Sequence, residues 1–166
     1  IGNATWYGIS KRAKVGEEND TKIPFSLLIS PSMRCNLRCK GCYASTYSRK
    51  DDITFEETDR IIREARDMGI YYIVVLGGET FFNDYMLDIY EKYDDMMFMP
   101  FTNGTLIDEK MADKLLELGN VMPMLSVEGT KEDTDWRRGE GVYDIVMKAM
   151  DLLKARGIPF GASTAT

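Results

Sequence analysis

The sequence predicts an α/β fold on a parallel sheet, and three observations lead there. Apolar runs of strand length alternate with segments whose apolar residues recur at helical period. Glycines punctuate the alternation, at Gly69, Gly77-Gly78, Gly119 and Gly157. The polar and glycine-rich signatures follow strands, whereas the loops after helices are plain stops. Strands alternating with helices of this length form repeated βαβ units, with right-handed connections.

The elements follow in order. Residues 1–22 read as an N-terminal extension without a clear pattern. Residues 25–30, Phe-Ser-Leu-Leu-Ile-Ser, read as a buried strand, and a loop with three cysteines leaves its end. Thr54-Phe55-Glu56-Glu57 has the spacing of a capping box, and Ile61, Ile62, Ala65 and Met68 recur at helical period before Gly69. Residues 71–76 form a second strand, stopped by Gly77-Gly78. Asn83 can cap a helix running to about Tyr93, and residues 96–101 form a third strand. Asp108 opens a helix whose Met111, Leu115, Leu116 and Leu118 face a core until Gly119. Residues 121–127 are a fourth strand, 128–141 a charged, glycine-rich loop, 142–156 a helix, and 158–163 a fifth strand. Met96, Met97, Met99, Met122 and Met124 on these strands read as gap-filling core residues. Tyr71 and Tyr72 read as strand packing.

Composition excludes several classes. The chain has 166 residues, 44% of them hydrophobic, which suits one core rather than two. A formal charge of -6 argues against nucleic-acid or anionic-membrane binding. No apolar run reaches the roughly 20 residues of a membrane helix. The chain starts at Ile1 and stops at Thr166 inside a predicted strand, so we expect a piece of a longer protein. An odd number of closely spaced cysteines argues against a disulfide framework and for a reducing compartment, the cytoplasm by default.

The chemistry concentrates in eight residues. Cys35, Cys39 and Cys42 are the chain's three cysteines, and it has no histidine. Three soft thiolates on one loop can hold a metal and leave a position open. A tetrahedral structural zinc wants a fourth Cys or His, which is lacking here. An iron–sulfur cluster, a zinc ion completed by a borrowed ligand, and inert structural cysteines are the readings in competition. The polar, basic loop disfavours the last. Residues 21–50 contain no acid, while Lys22, Arg34, Arg38, Lys40, Arg49 and Lys50 are basic. These cations form a solvated face, lower the thiolate pKa values, or do both.

In parallel βα architectures, sites form where loops leave the carboxyl ends of strands. Those ends carry the cysteine loop, Gly77-Gly78-Glu79, Thr102-Asn103-Gly104, Ser126-Val127-Glu128-Gly129 and Ser163-Thr164. Cys35-Asn36-Leu37-Arg38-Cys39-Lys40-Gly41-Cys42-Tyr43 resembles the CxxxCxxC loop of the radical S-adenosylmethionine (radical SAM) enzymes. The resemblance continues through the next three signatures in the same order and covers roughly residues 24–166.

The resemblance implies a partial (βα)6 TIM-like barrel of parallel strands, truncated after the fifth, with residues 23–166 as an incomplete core and four helices. It implies a 4Fe–4S cluster on Cys35, Cys39 and Cys42, with S-adenosyl-L-methionine chelating the fourth iron. The reduced cluster would cleave the sulfonium to a 5′-deoxyadenosyl radical that abstracts hydrogen from substrate. Gly77, Gly78 and Glu79 carry over as contacts to the methionine amino group. Thr80 stands where the family usually has proline. Ser126 resembles the serine that reaches the cofactor's ribose or carboxylate, and either Arg137 or Arg138 in the loop could pair with that carboxylate. Thr102 and Asn103 could also contact the cofactor. Gly41 replaces a residue that is aromatic in many relatives, so stacking near the adenine would fall to Tyr43.

The resemblance is greatest to the branch with C-terminal SPASM-type auxiliary-cluster domains, which favours peptide or protein modification. A lipid or small metabolite is the alternative substrate, and a non-catalytic zinc or cluster-binding module the alternative of another class. An electron donor such as flavodoxin or ferredoxin is the expected partner. No nucleic acid and no membrane span are expected.

Overall fold

The computed structural model describes residues 3–47, 52–83 and 85–164. Five parallel strands form one sheet in the order of the chain: β1 (Ser26–Ile29), β2 (Tyr72–Val75), β3 (Met97–Thr102), β4 (Met124–Ser126) and β5 (Gly161–Ser163). Six α-helices accompany them among the described residues: α1 (Gly8–Glu18), α2 (Phe55–Asp67), α3 (Tyr85–Lys92), α4 (Glu109–Leu118), α5 (Lys131–Arg138) and α6 (Val142–Ala155). The sheet is the predicted one; the helix count exceeds the expected four.

Burial alternates along β2, β3 and β4. Ile73 and Val75 of β2, Phe98 of β3 and Leu125 of β4 are fully buried, and they share one face with the core residues of α2, α3, α4 and α6. The facing residues Tyr72, Val74, Met97, Met99, Phe101 and Met124 stay half-buried on the other face. Of the methionines predicted to fill the core, only Met96 is buried among the described residues; Met97, Met99, Met122 and Met124 are half-buried. A period-2 strand inside a helix-covered sheet splits its side chains in this way. The covered face carries most of the stability: Phe98 packs at 4.8 Å between ring centroids on Tyr90 of α3.

The helix signals hold where capping chemistry is local. Thr54 and Glu57 make both bonds of the capping box that starts α2. Asp108 accepts from the Met111 N–H at 2.8 Å, and Gly119 ends α4 in the left-handed conformation. Leu116 is a correction: it is 52% exposed, because the apolar stripe of α4 runs through Ala112 and Leu115. α3 starts at Tyr85, directly after a residue outside those described. Asn83 instead closes a short 3-10 turn, and its carbonyl accepts from the Met86 N–H at 3.1 Å.

The predicted loop at 128–141 is the largest correction. It contains α5, capped by Thr130, whose side chain accepts from the Asp133 N–H. Its apolar content was too small to show a period: Trp136 is 67% exposed and Thr134 supplies the buried contact.

β4 is also shorter than predicted. Phe98 gives its N–H to Asn120 and accepts from Met122, so this side of β3 faces β4. Two residues on, Pro100 stands on the same side with no N–H to offer, and Pro123 interrupts the opposing strand. The ladder resumes at Phe101 opposite Met124.

Residues 3–18, patternless in sequence, are helical. α1 seals the end of α2: Lys11 Nζ donates to the Arg66 carbonyl and Arg12 to the Gly69 carbonyl, both at 2.9 Å. The Arg66 carbonyl, in the last turn of α2, takes the Gly69 N–H at 3.0 Å as well, so these side chains add donors at the helix end. No described helix is long and apolar enough to cross a membrane.

Candidate functional site

Every predicted site residue except Glu79 lines one cavity of about 230 Å³ at the carboxyl ends of the strands. The cysteine loop contributes Cys35, Cys39, Gly41, Cys42 and Tyr43; β2 leads to Gly77-Gly78, β3 to Thr102-Asn103, β4 to Ser126, and α5 presents Arg137 and Arg138. The three cysteines also line a second cavity of about 400 Å³ with Met33, Leu37, Arg38 and Tyr47. The thiols thus form a partition between two spaces.

The loop is held by main-chain bonds to distant segments. Gly78 N–H donates to the Ser32 carbonyl at 3.0 Å and Glu79 N–H to the Arg34 carbonyl at 2.7 Å. A Cβ on Gly77 would lie 2.2 Å from the Ser32 oxygen, and one on Gly78 would lie 2.1 Å from the Arg34 oxygen. These glycines therefore admit the cysteine-bearing backbone, a close approach that only a residue without Cβ allows. Gly77 also needs glycine for its φ of 125°. Past the loop, Lys40 N–H donates to the Arg137 carbonyl at 2.8 Å.

Glu79 stands behind the cavity wall, 2% exposed. Its Oε1 accepts from Phe81 N–H at 3.0 Å and Thr102 Oγ1 at 2.7 Å, and its Oε2 from Asn103 N–H at 2.7 Å. Burial pushes its carboxyl above the usual range, against the pull of these donors and of Arg138. One lone pair of Oε2 has no donor among the described residues, so the carboxylate can take one further N–H. Thr102 faces Glu79 and receives Gly104 N–H at 3.0 Å, so its hydroxyl supports the wall rather than a ligand.

Arg138 and Arg137 differ in what they hold. Arg138 forks onto Glu128, Nε to Oε2 at 2.7 Å and Nη2 to Oε1 at 2.6 Å. Arg137 reaches Glu128 only at 3.5 Å, and its buried Nε has no hydrogen-bond partner among the described residues. A buried N–H without a partner beside a cavity is a donor awaiting a ligand. Both arginines lie in the last turn of α5 rather than in a loop.

The basic loop does not activate the Cys35 and Cys39 thiols. Burial raises the pKa of Cys35 and of Cys39, outweighing Arg138 beside Cys39. Arg34 is neutralised by Asp52 at 2.8 Å, and Arg49 and Lys50 lie outside the described residues. Thiols become thiolates on binding a metal, which supplies positive charge. Among the described residues no three His, Cys, Asp or Glu side chains converge on a point where one ion could sit. Tyr43 is half exposed, donates to the Gly77 carbonyl at 3.4 Å and stands edge-on to Tyr47. Gly41 adopts a φ of 69° with no atom near its absent Cβ.

A second polar cluster, centred on Asn36 and Thr105, was not singled out from sequence. Asn36 Nδ2 donates to Thr105 Oγ1 at 2.8 Å, tying the cysteine loop to the turn after β3. Asn36, standing between two of the cysteines, was the available signal.

Residues 29–166 match the model of the Radical SAM superfamily. The chain is 32% identical over 133 residues to Fe-coproporphyrin III synthase of Methanosarcina barkeri, covering 77% of this chain and 33% of that protein. It superposes on the structure of Streptococcus suis SuiB bound to precursor peptide SuiA with a TM-score of 0.75 at 23% identity, covering 93% of this chain and 36% of SuiB. With anSMEcpe holding AdoMet and the Kp18Cys peptide the TM-score is 0.70 at 27% identity, covering 82% of this chain and 42% of the other. The chain thus spans between a third and a half of these proteins.

Proposed function

The chain belongs to the radical SAM superfamily, and on that premise we propose that it is the core of an enzyme holding a 4Fe–4S cluster on Cys35, Cys39 and Cys42 with S-adenosylmethionine beside it. The carrying observation is the shared cavity in which the three thiols meet Gly77-Gly78, Asn103, Ser126 and Arg137. When bound, the reduced cluster supplies the electron that splits the sulfonium into methionine and the 5′-deoxyadenosyl radical that takes hydrogen from substrate.

The chain's own residues bind and orient. Glu79 has the spare acceptor for an ammonium, and its three donors fix it in place. Arg137, with its Nε unpaired, is the arginine that meets the carboxylate; Arg138 is committed to Glu128. Ser126 at the end of β4 reaches the same cavity, and Tyr43 covers its outer side. Catalytic residues toward the substrate are not assigned.

Peptide or protein modification is the reading we favour. It is supported by the likeness to SuiB and anSMEcpe, each crystallised with a peptide, and by the Ser126-Val127-Glu128-Gly129 and Thr102-Asn103-Gly104 elements. The 32% identity to Fe-coproporphyrin III synthase supports a second reading, a small-molecule substrate. A one-electron donor such as flavodoxin or ferredoxin is the partner, and a reducing cytoplasm the compartment.

Anaerobic reconstitution of the full-length protein with iron and sulfide tests the reading. We expect a visible charge-transfer band and, with dithionite, 5′-deoxyadenosine and methionine. Changing any one of Cys35, Cys39 or Cys42 to Ala should abolish the 5′-deoxyadenosine. Zinc uptake in place of iron, or cleavage surviving a cysteine change, would sink the assignment.

A further inference from the structure

We propose that Asn103 is a positioning residue for Cys35, donating a hydrogen bond to its sulfur and so raising the potential at which the cluster accepts an electron. The inference rests on the cluster reading above and adds to it a role for a residue on the strand-β3 turn.

The direction of the Asn103 amide is forced. Thr105 N–H, which can only donate, lies 2.9 Å from Asn103 Oδ1, and Thr105 Oγ1 lies 2.6 Å from the same atom. The oxygen therefore faces Thr105 and the amide nitrogen faces the cysteine loop. There Nδ2 meets Asn36 Oδ1 at 2.9 Å and Cys35 Sγ at 3.8 Å, one hydrogen for each. Asn36 Nδ2 returns to Thr105 Oγ1 at 2.8 Å, and Thr105 Oγ1 to Asn103 Oδ1, closing a ring of three hydrogen bonds that runs one way round. The Asn103 main chain is fixed as well, by its N–H on Glu79. Asn103 is 6% exposed, so water does not compete for its amide.

Cys35 Sγ also receives the Leu37 N–H at 3.4 Å. Among the described residues, Cys35 alone of the three cysteines accepts such donors. Reduction adds an electron to a cluster whose negative charge is shared with its thiolates. Donors on a ligating sulfur favour the more negative state and raise the potential. Asn103 is thus to the thiolate what an outer-shell carboxylate is to a metal-bound histidine: it fixes orientation and sets electron affinity.

The test is spectroelectrochemical titration of the reconstituted full-length protein, following the cluster absorbance rather than turnover. In Asn103→Leu, which keeps volume and loses the donor, the equilibrium constant for reduction should fall by roughly tenfold, about 59 mV for one electron. Asn36→Ala with Thr105→Val leaves Asn103 in place but opens the ring, and should shift the potential in the same direction by less. A wild-type potential in a fully loaded Asn103→Leu protein overturns the inference. Should that variant not fold, the double variant decides: a lowered potential supports the proposal and an unchanged one overturns it. Failure of the unaltered protein to take up a cluster would instead strike the proposed function.

Discussion

Changing Gly78 to Ala tests whether the two glycines exist to admit the cysteine loop. Gly78 has ordinary backbone angles, so the change probes space rather than conformation. The new Cβ would lie 2.1 Å from the Arg34 oxygen, 2.6 Å from its carbon and 2.7 Å from the Met33 carbon. All three are main chain, so no side chain can swing aside. Restoring 3.0 Å requires the Arg34 carbonyl to retreat by about 0.9 Å. That carbonyl accepts the Glu79 N–H at 2.7 Å, so the same retreat breaks the bond. Overpacking costs about 1–3 kcal/mol and the lost bond about 1 kcal/mol, together a fall in Tm of roughly 5–10 °C. Cys35 follows Arg34 directly, and a displacement near 1 Å is enough to spoil a site. Iron content after anaerobic reconstitution should therefore drop along with Tm. Gly161→Ala is the control: its Cβ would meet Met124 Sδ at 2.6 Å, the flexible end of a side chain, far from the cysteines in sequence. It should load iron normally. Unchanged Tm and full iron content in Gly78→Ala would refute the reasoning.

Arg138→Leu should cost about 1.5–3 kcal/mol, because it removes both short hydrogen bonds to the 5% exposed Glu128 side chain and leaves it only Arg137 at 3.5 Å, whereas Arg137→Leu should unfold near wild type and weaken S-adenosylmethionine in calorimetry; the reverse ranking would reassign the carboxylate. Glu79→Ala should destabilise by about 2–5 kcal/mol in denaturant unfolding, since it orphans the Thr102 hydroxyl and two N–H groups, and Glu79→Asp should recover little because the shorter side chain cannot span all three. Lys92 at 2.5 Å, with Tyr93 at 2.9 Å, holds the Asp59 carboxyl below its ordinary value. Its stabilisation is therefore present above the unfolded-state value and lost as pH falls through the lowered one. Asp59→Asn should cost about 1 kcal/mol at neutral pH and nothing in strong acid, and a constant difference across that range would refute the assignment. Phe98→Ala should cost about 3–5 kcal/mol, measured the same way, given that the ring is fully buried against Tyr90.

The sheet was legible because each strand carries its own signature at its carboxyl end, and strand order followed chain order. The same reasoning placed Cys35, Cys39 and Cys42 beside Gly77, Ser126 and the arginines. It missed α5 because that helix is held by the local cap of Thr130 and by charge, with no apolar stripe to reveal it. It could not separate Arg137 from Arg138, since neighbours in sequence are told apart only by where Glu128 comes to rest. It could not show that Gly77-Gly78, besides lining the cavity, also make room for the Ser32 and Arg34 carbonyls, partners some 45 residues earlier. Long-range pairing carries no local mark. Of the two readings of the basic residues, the lowering of thiol pKa is not seen at Cys35 and Cys39 for a related reason: the basic residues are visible in the sequence, whereas the burial that outweighs them is not.

The hydrogen bond from Lys40 to the Arg137 carbonyl has a consequence for how the protein matures. The cysteines leave the ribosome early, yet the segments that fix them arrive in turn: Gly78 and Glu79 with β2, Asn103 and Thr105 with β3, Arg137 last with α5. Until α5 is made, the loop is anchored at its Cys35 end and at Tyr43 but lacks its clamp at Lys40. Iron delivered during synthesis would therefore meet an open hand, and iron delivered afterwards a closed one.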